Sequence, residues 1–508
     1  MALPHRTRTD PDVLRMAMVS GETVDLRTGD PRADDPAQGS RWDQQRTVPA
    51  ETLIEVLTSP DQTQDARRPR VLLLAGAKIT GMLNLEAAQL VCPITFQACW
   101  FEQLVNLAQA TVPAMRLPGS HLPALRAENL RTIGNLGLDQ GFTSTGEVTL
   151  LGAHIGGDLV MGGARLTNGK GPALYANRLT VGLSMFCRDG FIANGEIRMV
   201  GAHIGARLSF ATATLVAETT PANPSALALQ AEGLRVDQDL FFTEEFRATG
   251  RINLAGAHIS GRLSFDLAPV ANPGRPRIDL GQLRAILPRA PADQLGAIDL
   301  RHAHAGVLEL DADPARWPCQ LDLRGFTYDA LSERSRVNAR EWLTWLRRAP
   351  GGYAPQPYEQ LAGVYRRAGR EEDATRVAIA KQQARRRALP QRAWPAKLWS
   401  LLLGGLVGHG YRTWFAGLWL LGWVAAGWII YDRAWPADML PTKPNERVPA
   451  FQPAVYALDV LLPVVDLGQQ AHWIPQGVAR WWTWASILAG WVLTTAVVAA
   501  LSGLLKRD

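Results

Sequence analysis

Between about residue 70 and residue 326, apolar residues fall in pairs two positions apart. Examples are Val148 and Leu150, Ala153 and Ile155, Leu159 and Met161, Ala164 and Leu166, and Leu183 and Met185. Alternation of period two is the strand pattern. Gly or polar residues separate the pairs and cut the strands into short pieces joined by turns. No apolar stripe of helical period runs through this region. The pattern predicts a mainly β domain built from many short strands.

The pairs recur on a long beat. GFTSTGEVTLLGAHIGGDL at 141–159 returns as GFIANGEIRMVGAHIGARL at 190–208 and as FRATGRINLAGAHISGRL at 246–263. LAGAKITGML at 74–83 and LRHAHAGVL at 300–308 are more diverged copies. His154 and His203 are 49 residues apart, His203 and His258 are 55, and His258 and His304 are 46. The extra residues before His258 fall in AETTPANPSA, a polar, Pro-containing insertion at 217–226. A fixed long period means one supersecondary unit stacked many times. The expected fold is a single-chain β-helix over 70–326, with each 49-residue unit counted as about two coils. A sandwich or barrel would explain the turns but not the beat.

Outside the repeats the pattern changes. Residues 1–48 are polar and of mixed charge, and read as a partly disordered segment without a secretory leader. PAETLIEVL at 49–57 reads as a short helix capping the open end of the solenoid, which places the capped β-helix domain at 49–326. Stacked strands leave an edge that would template other chains if uncovered. SERSRVNAREWLTWL at 332–346 reads as an amphipathic helix with Ser332 as its cap. Two further helical stretches at 358–387 meet at Gly369. They resemble one tetratricopeptide-type hairpin, readable as a rigid spacer or a peptide-binding element. Residues 327–397 thus form a helical hairpin and basic linker.

From 398 to 508 the chain reads as a two-span membrane module. WFAGLWLLGWVAAGWIIY at 414–431 and the run 481–505 carry no charge, and both reach the length a bilayer span requires. Of 17 tryptophans, twelve lie between Trp394 and Trp491, many near the ends of these runs, as in an interfacial belt. Residues 381–397 hold six Lys/Arg and no acid, whereas the loop 432–480 holds four basic and five acidic residues. The charge asymmetry predicts a cell-membrane protein with both termini in the cytoplasm. Within the loop, Pro453 suits a helix start and Pro463 a helix end. The half-length helix expected over 453–462 is too short to cross.

The remaining chemistry narrows the choices. The chain has 508 residues and a formal charge of +6, too modest to argue for nucleic acid. None of Cys92, Cys99, Cys187 and Cys319 sits in a CxxC, and all four read as buried thiols of a reduced compartment. The repeat-equivalent histidines 154, 203, 258 and 304 sit two coils apart on this reading, roughly 9–10 Å. That is too far to share a metal, so they read as a surface column. No dinucleotide fingerprint, Walker motif or catalytic triad spacing occurs, and no catalytic residue, cofactor or metal site is expected.

Two resemblances add to these readings. The order span, half-length helix, extended segment, span resembles the two-span module of the potassium-channel superfamily, although the TVGYG-type filter is missing. It implies pore candidates at Asp459, Pro463, Asp466 and Gly468. Ser486 and Gly490, and Ala499 and Gly503, have the four-residue spacing that lets helices approach closely; a homo-oligomer through the spans is left open. The GAxIxGxLxL repeat joined to this tail resembles bacterial proteins often labelled membrane-associated oxidoreductases, which implies redox chemistry. Three functions follow: a membrane-anchored, non-enzymatic β-helix sensor or scaffold with a protein or ligand on its solenoid surface; a gated channel-like effector; and an oxidoreductase.

Overall fold

The computed structural model describes residues 10–58, 71–217, 226–243, 246–265, 297–310, 320–333, 338–347, 352–388, 414–443, 449–462 and 465–505. The chain divides into two units, 1–369 and 370–508.

The first unit is a parallel β-solenoid with four faces. One coil runs through Met115–Arg116 on face 1, His121–Leu122 on face 2, Leu125–Arg126 on face 3 and Arg131–Thr132 on face 4. Each strand pairs in parallel with its equivalents one coil away, as Met115 does with Ile94 and Leu136. Among the described residues, face 2 holds nine strands and face 3 ten. Faces 1 and 4 join into one 18-stranded sheet, because near the carboxy end His258–Phe265 and His304–Leu310 run straight through the corner between them. His154 pairs with Thr180 and Thr180 with His203, so the 49-residue unit is two coils.

The repeat motif follows from this geometry. Gly152 turns the chain from face 3 to face 4 with φ of +62°, a left-handed conformation that costs glycine nothing. Ala153 and Ile155 point inward and are fully buried, while His154 between them faces out. Gly156 and Gly182 form the next corner. A Cβ at Gly156 would overlap the carbonyl oxygen of Ile133, and one at Gly182 that of Gly156. Glycine here allows successive coils to stack at backbone contact. Val148, Leu150, Leu159, Met161, Ala164 and Leu166 are all fully buried. The expected pair Leu183 and Met185 is corrected: Leu183 is exposed at the corner, and Met185 is buried with Cys187. Farther along the core, Phe210, Phe242 and Phe265 stack with ring centroids 5.3 and 5.1 Å apart.

Both ends of the stack are closed. The segment 1–48, expected as partly disordered, is ordered from residue 10 on. A helix at Pro11–Ser20 precedes Thr23–Asp25, which pairs with Leu73–Ala75 as the first rung. The cap helix expected at 49–57 is Ala50–Thr58, with Leu53, Val56 and Leu57 buried. At the other end lies Ala339–Arg347, capped by Asn338 rather than Ser332. Asn338 Oδ1 accepts from the amides of Arg340 and Glu341, and Glu341 Oε2 accepts from the Asn338 amide. This is a reciprocal capping box; Ser332 instead donates its amide to Leu308 in the last rung.

The helix Pro355–Arg367, read above as half of a spacer hairpin, closes the carboxy-terminal coil. Gln356 Oε1 accepts from the Gly325 amide at 2.9 Å and its Nε2 donates to the Phe326 carbonyl at 2.8 Å. Gln360 donates to the Tyr328 carbonyl, and Arg367 to that of Asp329. These side chains take the place of the next strand. Replacing Gln356 and Gln360 together with Ala is expected to cost about 2 kcal/mol, since unpartnered backbone groups carry a desolvation penalty. Faster amide exchange at Gly325 and concentration-dependent light scattering would register the uncovered edge. Exchange and scattering like those of the native chain would show that these bonds do not close it.

The second unit contains helices at Glu371–Ala388, Trp414–Ala434, Pro453–Leu461 and Gly477–Leu505, and an antiparallel pair of Met439–Pro441 with Trp473–Pro475. The short helix ends one residue before the expected 462 and packs against both long helices. Among the described residues, no helix is long and apolar enough to cross a membrane. The side chains of 414–417 and 496–505 lie outside the described residues, as do the helix-packing candidates Ala499 and Gly503 and, in its entirety, Pro463.

Candidate functional site

The helical unit has an unusual distribution of polarity. Its interior centres on Tyr431, Tyr456, Ala457, Val460 and Trp473, and it contains hydrogen-bonded polar pairs. Tyr431 Oη lies 2.8 Å from Thr483 Oγ1, both side chains being buried. Trp423 Nε1 donates to Ser486 Oγ at 3.0 Å, and Trp423 stacks on Trp482 at 5.0 Å. The outer surface of the two long helices is apolar as well. Leu418, Trp419, Leu421, Trp428 and Ile429 on one long helix are exposed, as are Val478, Trp481, Trp484, Leu488, Trp491 and Val492 on the other. In water this arrangement leaves a large apolar surface uncovered.

A stripe on the second long helix explains the packing. Ala479, Thr483, Ser486, Gly490 and Leu493 recur at helical spacing, and the four among them with side chains are buried. Ser486 and Gly490, read above as contacts between helices, meet elements of their own chain. A Cβ at Gly490 would collide with the carbonyl of Leu461, the last residue of the short helix. Thr483 was missed in the sequence. Its signal was a small polar residue in phase with Ser486 and Gly490 inside an uncharged run.

The acidic candidates part ways. Asp459 is 4 % exposed, and its carboxylate accepts the amides of Leu467, Gln469 and Gln470 at 2.6–2.8 Å. Those three bonds fold the segment after the short helix back over it, which makes Asp459 a fastening for that loop. Asp466 is exposed, and its Oδ1 accepts the Gly468 amide at 2.8 Å in a local turn, with Gly468 at φ +76°. The two carboxylates are not brought together at one point by any bond that either makes.

On the solenoid, the histidine column occupies face 4. In order it reads Arg131, His154, Thr180, His203, Arg235, His258, His304 and Thr327. The two-coil spacing holds up to His258 but fails at the last step. His258 and His304 are direct neighbours, paired strand to strand and stacked at 5.0 Å between ring centroids; residues 266–296 between them lie outside the described residues. His203 Nε2 meets Asp237 at 2.9 Å, and His304 Nδ1 meets Thr327 Oγ1 at 3.0 Å. Among the described residues, no group of three or more His, Cys, Asp or Glu is arranged to hold a metal ion.

Cys92, Cys99 and Cys187 are buried; Cys319 lies outside the described residues. Burial pushes the Cys99 thiol up to about 12 and raises Cys187 as well. Thiols held protonated are poor nucleophiles and poor redox centres, so Cys99 and Cys187 serve packing. No protein family, curated protein or solved structure matches this chain.

Proposed function

We propose that the protein is a membrane-anchored β-helix scaffold or sensor without catalytic chemistry of its own, in which the helical unit at 414–505 sits in the bilayer. The observation that carries this reading is the apolar outer surface of that unit, laid over an apolar interior whose polar side chains pair with one another. Tyr431 with Thr483 and Trp423 with Ser486 pair inside, while leucines and tryptophans face outward. Lipid removes the cost of exposed apolar surface and raises the cost of an unpaired polar group. The uncharged runs 414–431 and 481–505 in the sequence add to this reading, although no helix of the described residues is long and apolar enough to cross. The similar repeat family and its oxidoreductase label remain part of the proposal only as a competing reading. A cofactor absorption spectrum of the purified chain would decide for that label.

The full chain is expected to float with vesicles and resist extraction by alkaline carbonate. A Lys443→Cys variant is expected to react with an impermeant thiol reagent in intact cells, and a Pro390→Cys variant only after lysis. Extraction by carbonate would overturn the anchor, and the reverse labelling would invert its orientation.

The short helix Pro453–Leu461, lodged against both long helices, also favours a second reading, a channel-like effector. Against it, Asp459 is committed to three backbone amides. Ion conductance in liposomes that loses cation preference in Asp466→Asn would establish the channel; no conductance leaves the anchor.

A further inference from the structure

On face 3 a glutamate opens the turn after three of the strands: Glu86, Glu128 and Glu232. Two of these are met by an asparagine from the next coil. Asn106 Nδ2 donates to Glu86 Oε2 at 3.0 Å, and Asn253 Nδ2 donates to Glu232 Oε1 at 2.6 Å. The corresponding residue beside Glu128 is Thr149. It pairs with Arg126 as Asn106 does with Asn84 and Asn253 with Gln230. Its side chain is shorter and carries no amide. Glu128 Oε2 and Thr149 Oγ1 are both buried, and neither has a hydrogen-bond partner among the described residues. Thr149 is 7 % exposed, although it stands on the outer side of its strand between inward-facing Val148 and Leu150. Buried polar atoms left this way carry a desolvation penalty.

A second acid stands at the same junction. Two residues before Asn106 and Asn253 lie Leu104 and Arg251, but two before Thr149 lies Glu147. The Leu125 amide donates to the Glu147 carbonyl, which keeps Glu147 in register. Glu128 and Glu147 therefore stand diagonally across the Arg126–Thr149 pair. Burial raises the Glu147 carboxyl above its usual range, and the Glu128 charge raises it further, while Arg198 acts the other way. The nearby basic groups do not close the set. Arg126 Nε is 3.9 Å from Glu128 Oε1, beyond hydrogen-bond length, and Arg198 is engaged with Glu196 at 2.9 Å. We propose that Glu128, Glu147 and Thr149 form a site for a hard divalent cation of the calcium type, which bridges the two coils. Two carboxylates balance the charge of the ion, the hydroxyl adds a third oxygen, and water completes the roughly six to eight that calcium takes. Oxygen donors without thiol or imidazole favour such an ion over zinc or copper. The ion does at this junction what Asn106 and Asn253 do at theirs, tying the turn glutamate to the next coil. The site concerns the coils alone and stands or falls independently of the membrane reading.

The test takes the full chain in detergent, stripped with a chelator, and titrates it with terbium, a luminescent stand-in for calcium. Tyr175 pairs with Thr149 on the following coil and is placed to sensitise the emission. Emission is expected to rise with terbium, to fall when calcium is added, and to dim in Tyr175→Phe without a change in calcium affinity. Thr149→Asn recreates the contact that Asn106 and Asn253 make. It is expected to lose the ion and, in chelator, to melt roughly 2–4 °C above the native chain. Calcium should close that gap by raising the native chain alone. Glu128→Gln and Glu147→Gln are each expected to weaken calcium binding at least about tenfold, the least that loss of an outer-shell partner costs at a metal site. They read the site even if Thr149→Asn fails to fold. Terbium emission and calcium affinity unchanged in these variants would place the ion elsewhere and overturn the proposal. So would a native chain that neither binds terbium nor gains stability with calcium, in which water alone meets the two buried oxygens.

Discussion

An Ile204→Asp variant is expected to lose the cooperative melting of the solenoid and to be cut by protease within the coils around residues 180–236. Ile204 is fully buried and lies between Val181 and Val236 on neighbouring coils. The substitution removes a packed aliphatic side chain, at about 2–5 kcal/mol. It also places a carboxylate where nothing can pair with it, at several kcal/mol more or at the cost of binding a proton. A loss of this order is comparable with the roughly 5–15 kcal/mol that holds an ordinary domain together. Solenoid coils depend on their neighbours, so the damage should spread outward from coil 204 and spare the caps longest. Ile204→Val, which keeps the shape, should cost only about 1 kcal/mol. If the Asp variant melts like the native chain, Ile204 does not face the core.

Gly490→Val is expected to dislodge the short helix from the helical unit. A Cβ at Gly490 would occupy the position of the Leu461 carbonyl, a backbone atom that cannot rotate away. Overpacking of this kind costs typically about 1–3 kcal/mol, and occasionally more, when the neighbour must move as a body. Displacing the Pro453–Leu461 helix would pull Tyr456 off Tyr431, whose rings meet edge-on at 4.7 Å, and would strain the loop fastened by Asp459. Faster proteolysis within 463–472 and altered tryptophan emission would report it. Gly422→Val is the matched control, because a Cβ there meets nothing within 4 Å. Equal behaviour of the two variants would place Gly490 outside the contact.

The solenoid was legible because its pattern is short-range and repeated. Ala153, Ile155, Leu159 and Met161 announce inward positions by alternation alone, and Gly152 and Gly156 mark the corners that require glycine. The fourfold cross-section was harder to read, since corner length varies from coil to coil and Leu183 was drawn into a pair by its apolar character. His258 and His304 misled because sequence distance alone does not count coils: 46 residues separate them, yet they pair directly. The carboxy-terminal cap was invisible because Gln356 and Gln360 close the edge through tertiary bonds, while their helix reads as an ordinary amphipathic one. In the helical unit, Asp459 looked like an acid on an ion path. Only the fold of 465–470 reveals the three amides that occupy it.

Closed ends also dictate how such a chain can change in length. The Ala50–Thr58 helix and Gln356 each fit one terminal rung, so a coil added outside them would have no seat. A coil added between them meets only neighbours like itself. Duplication of a 49-residue segment copies two whole coils, corners included, and would lengthen the stack by roughly 9–10 Å at the strand spacing. The stack can therefore be lengthened in set increments without redesigning either end.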